Sequence, residues 1–273
     1  MAVTEITWEL FEEQAERPPL TPLQVAWRRF RRHKMAMVGV GILVSILLYI
    51  IVGSIIFTEA DANRTDLLRK LAPPSAEHPF GTDLTGRDIL ARTIYGGQIS
   101  LIIAVLAVVV ELVVGVLVGA FAGFYGRIVD SILMRFTEAM FNIPSLFLLI
   151  LLAKLLGGKI PAFNFLGRSF SGSVIVIIGV IGLTSWMYLA RIVRANFLSL
   201  KEQEFVTAAR CIGAGNISLI FQHILPNSIA PITVAATLGV ASAILSEAYV
   251  CLLYTSDAAD DLLCVDLGGR RII

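Results

Sequence analysis

The chain alternates between long apolar runs and short polar stretches. The first apolar run, Met35 to Phe57, contains no charged residue. About 20 apolar residues suffice to cross a bilayer as a helix, so this run predicts a first span over 35–57. Further spans are expected at about 99–124, 143–156, 174–189 and 229–250. Gly115, Gly119 and Gly123 recur every four residues in the second span, a small-residue face suited to close helix packing. The third is short, is headed by Pro144 and carries Lys154 near its far end, where a long basic stem can reach outward. Between the spans, residues 58–98 hold Pro73, Pro74 and Pro79 and read as an external loop. Residues 157–173 read as a second external stretch. Residues 125–142, and the polar stretch from Arg191 toward Gln222, read as internal.

Charge sets the direction of threading. Arg28, Arg29, Arg31, Arg32 and Lys34 precede the first span, while Glu59 and Asp61 follow it. Clustered cations hold their flank in the cytoplasm, so residues 1–34 are expected to form a cytoplasmic tail. The composition agrees with membrane insertion. Of 273 residues, 56% are hydrophobic and 16% charged, and the mean hydropathy is +0.80. Soluble domains carry closer to a quarter charged residues. The expected fold is an all-α polytopic helical bundle with a cytoplasmic helix-turn-helix loop, embedded in a lipid bilayer. A net charge of +1 does not point to nucleic acid, and no nucleic-acid partner is expected.

One internal segment is patterned in a way its location does not require. Phe205, Ala208, Ala209 and Ile212 fall at i, i+3, i+4 and i+7, on one helical face. Gly213 and Gly215 then interrupt the helix. Ile217, Ile220, Phe221 and Ile224 repeat the spacing, and Pro226 ends the second helix or begins the next span. An apolar stripe on a cytoplasmic loop needs a cover. A groove on a partner provides one, in the helix-in-groove manner. The protein's own spans or the bilayer surface provide others.

The same residues carry a resemblance. Glu204-Phe-Val-Thr-Ala-Ala-Arg-Cys-Ile-Gly213, followed by Ile224-Leu-Pro-Asn227, resembles the EAA loop of the permease subunits of ATP-binding-cassette importers. Thr207 stands where that pattern has its leading Glu. His78-Pro-Phe-Gly-Thr-Asp-Leu-Thr-Gly-Arg-Asp88, and the stretch from Gly123-Phe-Tyr-Gly through Asp130 to Arg135, resemble segments of the dipeptide, oligopeptide and nickel permeases. Trp27-Arg-Arg-Phe-Arg-Arg-His-Lys34 resembles the start of the C-type member of the permease pair. The resemblance implies a permease domain over 35–250, half of a solute pathway for peptides or a related small solute such as nickel chelates. It implies that the loop 191–227 docks on an ATPase subunit through Glu204, Phe205, Thr207, Ala208, Ala209, Ile212, Gly213, Ile224, Leu225 and Pro226. With Thr207 in place of Glu, this docking is expected to rest on shape more than on a charge pair. The implied partners are a second homologous permease, two ATPases that bind ATP and Mg, and an extracytoplasmic solute-binding protein. The implied location is a bacterial inner membrane.

After Ser246-Glu247-Ala248 the family continues into a sixth span, whereas Cys251 to Ile273 contains no run long enough to cross. That tail resembles the translation of a transposase-type sequencing adapter. Residues 251–273 are therefore expected to be non-native, leaving five of six spans visible.

Candidate chemistry within the chain is sparse. No phosphate-cradling Gly-x-x-x-x-Gly-Lys-Ser/Thr occurs, and Gly157-Gly158-Lys159 lacks the earlier Gly and the hydroxyl residue. No cofactor, metal site or catalytic residue is expected. Asp83, Arg87 and Asp88 are read as ion pairs or helix caps in the external loop. Glu111 is a carboxylate in mid-span, where a charge is costly and signals function by default; it either lines the pathway or contacts a neighbouring helix. Glu247 in the fifth span is read the same way, as a pathway or helix contact, and is expected to face a partner helix rather than the substrate. An ion-coupled secondary transporter remains the alternative, although broken spans in inverted repeats and several buried ionisable groups would then be expected.

Overall fold

A computed structural model describes residues 21–156, 159, 161, 163–165, 168–170 and 172–257. Most of the expected N-terminal tail, part of the stretch 157–173 and the expected non-native tail beyond Asp257 lie outside the described residues, as does the side chain of Lys154. The chain forms two compact units, Met1–Tyr95 and Gly96–Ile273.

Among the described residues, the first helix of the first unit is α1, Pro22–Arg32. Thr21 and Gln24 form a reciprocal capping box, and Pro22 occupies the first turn, where its missing N–H costs nothing. His33 is extended (φ −86°, ψ 96°) and breaks the helix, and its Nδ1 accepts the Ala36 N–H at 3.2 Å. Helix α2, Lys34–Ile56, then runs for 23 residues, about 35 Å at 1.5 Å per residue. It is apolar on every side, and only Ile50 and Gly53 are buried within the chain. Such a helix needs an apolar surrounding. Gly53 permits close approach, since a β-carbon there would lie 2.6 Å from Ile94 Cδ1. The short helix α3, Glu59–Asn63, is capped by Thr58 and Asp61 and opens the connecting loop.

Helix α4, Ile89–Tyr125, is 37 residues long. It starts ten residues before the span expected at 99, because Asp88 caps it: Asp88 Oδ1 accepts the Ala91 N–H at 3.1 Å. Gly96 and Gly97 do not interrupt it.

In the second unit, α4 is followed by α5, Arg127–Phe141, and α6, Ser145–Leu156. A two-stranded antiparallel hairpin pairs β1, Phe163–Phe165, with β2, Arg168–Phe170. The sequence reading placed only an irregular stretch there. Helix α7, Gly172–Leu200, extends eleven residues past the expected end of the fourth span at 189. Arg191 and Arg194 end the apolar run but not the helix. The Arg191 guanidinium lies 4.5 Å from the Phe141 ring centroid. Arg194 makes a two-pronged ion pair with Asp130, through Nε to Oδ1 and through Nη2 to Oδ2 at 2.6 Å. The loop expected at 191–227 therefore begins only after Leu200. The chain ends its described part with α11, Ile229–Asp257, after the short elements described below.

Four helices among the described residues are long and apolar enough to cross a bilayer: Lys34–Ile56, Ile89–Tyr125, Val174–Leu200 and Ile229–Tyr249. The span expected over 143–156 appears as α6, whose 12 residues give about 18 Å, short of a hydrocarbon core of about 30 Å.

The glycine face of α4 meets α7. β-Carbons built on Gly115, Gly119 and Gly123 would lie 2.9 Å from the Trp186 carbonyl oxygen, 2.5 Å from that of Ala190 and 2.5 Å from Phe197 Cβ respectively. The two backbones are thus closer than any side chain at these positions would allow. Lys201 Nζ donates to the Gly123 carbonyl at 3.0 Å, satisfying an acceptor in the last turn of α4.

Candidate functional site

Helix α8, Glu204–Cys211, follows α7 after a three-residue turn. Glu204 is its first residue, where a carboxylate complements the helix N-terminus. Its end is a Schellman turn. The Gly213 N–H donates to the Arg210 carbonyl and the Ala214 N–H to the Ala209 carbonyl, each at 3.0 Å. Gly213 has φ +94°, so a glycine is needed to close this turn. The chain re-enters helix as α9, Asn216–Ser218, widens into a π-helical turn over Leu219–Ile224, and passes through α10, Leu225–Asn227, into α11. In the wide turn the Leu225 N–H reaches back five residues to the Ile220 carbonyl. The next residue, Pro226, has no N–H and its ring would crowd the Gln222 carbonyl; a π turn relieves both problems.

The segment has two apolar faces, not one. Val206 and Ala209 turn inward, with Val206 fully buried. They join a cluster with Val193 and Phe197 of α7, Leu219, Ile220 and Ile224 of the wide turn, and Ile232 and Ala235 of α11. Leu225 is partly buried against the same cluster. Phe205, Ala208 and Ile212 turn outward, and Ile212 is 87% exposed. The second stripe divides likewise: Ile220 and Ile224 are buried, whereas Ile217 and Phe221 are exposed. Ala209 therefore leaves the expected docking face, because it lies one turn from Val206 on the inner side. Thr207, Glu204, Gly213 and Pro226 are exposed. Val206 was absent from the sequence reading, although its i, i+3 spacing to Ala209 marks the inner stripe.

The two carboxylates of the spans are both buried. Glu111 of α4 lies against Gly239 of α11; a β-carbon at 239 would come within 2.8 Å of Glu111 Oε2. Gly239 is thus the residue that makes room for the acid, a role the sequence reading did not assign. Glu247 of α11 receives a hydrogen bond from Ser100 of α4. Both acids lie where α4 and α11 meet.

In the first unit, the segment from His78 to Asp88 is tied to itself. Asp83 Oδ1 accepts from the Thr85 N–H and hydroxyl, both at 2.8 Å, and from the Arg87 N–H at 2.9 Å, while Oδ2 takes the Arg87 Nε–H at 2.9 Å. Burial pushes the Asp83 carboxyl up, but the donors from Arg87 and Thr85 outweigh it and hold it at about 2, against an ordinary 3.8. Gly81 and Gly86 both adopt positive φ, and a side chain on Gly86 would collide with the Asp66 backbone. His78 Nδ1 lies 2.8 Å from Asp88 Oδ2. Asp83, Arg87 and Asp88 thus serve the architecture of the loop and the start of α4. Among the described residues, no group of acids, His and Cys could hold a metal ion.

Comparison with known proteins gives a consistent result. The family described as binding-protein-dependent transport system inner membrane component matches residues 115–263. The N-terminal membrane domain of oligopeptide transport permease C matches residues 21–74. The dipeptide transport system permease protein DppC of Bacillus subtilis (strain 168) is 36% identical over 241 residues, covering 88% of this chain and 71% of the relative. The oligopeptide transport system permease protein OppC of the same organism is 39% identical, covering 88% and 74%. OppC of Escherichia coli (strain K12) is 38% identical over 249 residues, covering 90% and 78%.

Proposed function

Because the chain belongs to the inner-membrane permease components of binding-protein-dependent transport systems, we propose that it forms half of a peptide pathway and takes its energy from a separate ATPase through the outer face of α8 and the turn that follows. The protein is a permease subunit of an ATP-binding-cassette importer. The observation that carries the coupling assignment is the two-faced loop. Phe205, Ala208, Ile212, Ile217 and Phe221 offer an exposed apolar surface, while Val206, Ala209, Ile220 and Ile224 lock the same segment to α7 and α11. A groove on the ATPase that grips the outer face would move α8, and the close-packed inner face would pass that displacement to both spans. ATP and Mg belong to the ATPase. A second permease completes the pathway, and an external binding protein delivers the peptide. No step makes or breaks a covalent bond in this chain.

The third crossing is assigned to α5 and α6 together. Joined across Asn142–Pro144, they offer about 40 Å of helix. Ile128, Ile132 and Phe136 recur every four residues of α5 and are all exposed, an arrangement that suits lipid or a partner helix better than water. This moves residues 127–141 from the cytoplasm into the membrane. A thiol placed at Ile132 should resist a water-soluble maleimide in intact membranes; rapid labelling would return α5 to the cytoplasm.

Reconstitution tests the transport assignment. Proteoliposomes holding both permeases and the ATPases should take up a labelled oligopeptide only with internal ATP and external binding protein. Uptake driven by an ion gradient without the ATPases would establish the secondary-transporter alternative.

A further inference from the structure

The permease assignment makes no use of helix α1. Leu23, Ala26, Trp27 and Phe30 fall at i, i+3, i+4 and i+7, the spacing of one helical face. Arg28 and Arg32 occupy the opposite side together with the half-buried Val25, and Gln24, Arg29 and Arg31 lie at its margins. Trp27 and Phe30 stack with ring centroids 5.9 Å apart, yet Trp27 is 59% and Phe30 37% exposed. An aromatic pair preassembled on a helix face, with Trp27 largely exposed among the described residues, is suited to an apolar boundary.

Three observations identify that boundary. First, α1 is joined to α2 through His33 alone, and α2 is the apolar helix of 23 residues. The C-terminal end of α1 therefore sits within one residue of where the chain enters the bilayer. Second, the extended conformation of His33 means that α1 does not continue the α2 axis, so it is free to lie along the surface. Third, the sequence from Thr21 to Thr58 contains five cations, Arg28, Arg29, Arg31, Arg32 and Lys34, and no acid. Three of the arginines crowd the last turn of α1, at the level of the lipid headgroups. A guanidinium grips phosphate through paired N–H groups and stays charged at every relevant pH. A helix with Trp and Phe on one side and Arg on the other lies in the interfacial plane.

We propose that α1 is an interfacial anchor that binds the phosphates of anionic phospholipids in the cytoplasmic leaflet through Arg28, Arg29, Arg31 and Arg32, with Trp27 and Phe30 inserted at the acyl boundary. The proposal requires that α2 crosses the bilayer and is independent of the solute carried. It gives the permease a lipid-dependent fixed point at the end of its first span.

The competing occupant is within the chain. Glu5, Glu9, Glu12, Glu13 and Glu16 precede α1 and could pair with its arginines. The test uses the full chain in nanodiscs, with Trp8→Phe and Trp186→Phe leaving Trp27 as the reporter, in phosphatidylcholine alone or mixed with phosphatidylglycerol. Acyl-brominated lipids should quench Trp27, more strongly when phosphatidylglycerol is present. Changing Arg28, Arg29, Arg31 and Arg32 to Gln should abolish the phosphatidylglycerol-dependent part, with a loss of about fivefold in anionic-lipid preference for each cation removed. High salt should weaken it in the parent only. A Trp27 that stays unquenched in both compositions would overturn the proposal, as would a phosphatidylglycerol effect that survives the four changes. So would a lipid response that appears only after residues 1–20 are deleted, since the acidic segment would then be the native occupant.

Discussion

Asp83 shows how one residue can organise a loop. Its two oxygens collect four donors from Thr85 and Arg87. Its carboxyl titrates near 2 when folded and near 3.8 when free, so its contribution is complete above pH 4 and is lost as pH falls from about 4 to 2. Asp83→Ala should cost the loop about 1–3 kcal/mol, seen as faster amide exchange at Thr85 and Arg87 at neutral pH; unchanged exchange there would show that the loop is held by other bonds. Glu111 raises the opposite question, since its neighbour Gly239 supplies space and not charge. Glu111→Gln should leave assembly intact if the acid only fills that space, while Gly239→Leu should disrupt assembly by displacing it. Loss of uptake in Glu111→Gln with normal assembly would place the acid in the pathway. The presence of both acids was legible in the sequence. Their neighbours were not, because contacts between distant helices leave no local pattern.

At the scale of elements, the apolar runs located the helices but misjudged their ends. Hydropathy stops at Leu189, yet α7 continues to Leu200 because Arg194 finds Asp130 and Arg191 finds the Phe141 ring. In the same way, a polar cap at Asp88 starts α4 well before its apolar run. The four-residue glycine repeat was legible and does lie on a close helix contact, but only the coordinates identify α7 as its partner. The apolar spacing in α8 and the following turn was also legible, although it hid two faces. Helical periodicity reports that a side is apolar; it cannot say whether core or partner covers it. Val206 and Ala209 pack into the chain's own interior, whereas Phe205 and Ile212 are exposed.

At the scale of the whole molecule, those two faces give the loop one engaged side and one exposed side. The outer face remains available in the isolated chain, while the inner one is already engaged with α7 and α11. Substitutions on the two faces should therefore fail differently. Val206→Asp would place a charge in the core and should damage folding itself. Phe205→Asp with Ile212→Asp should spare folding and membrane insertion and remove only the docking surface. The most direct measurement is ATPase retention by the affinity-tagged permease pair purified from membranes, read as bound ATPase subunit and as peptide-stimulated ATP hydrolysis. The parent chain should retain the ATPase, and the Phe205→Asp/Ile212→Asp protein should lose it at equal membrane abundance. Full retention with normally coupled hydrolysis in that double variant would contradict the assignment of this face as the coupling surface.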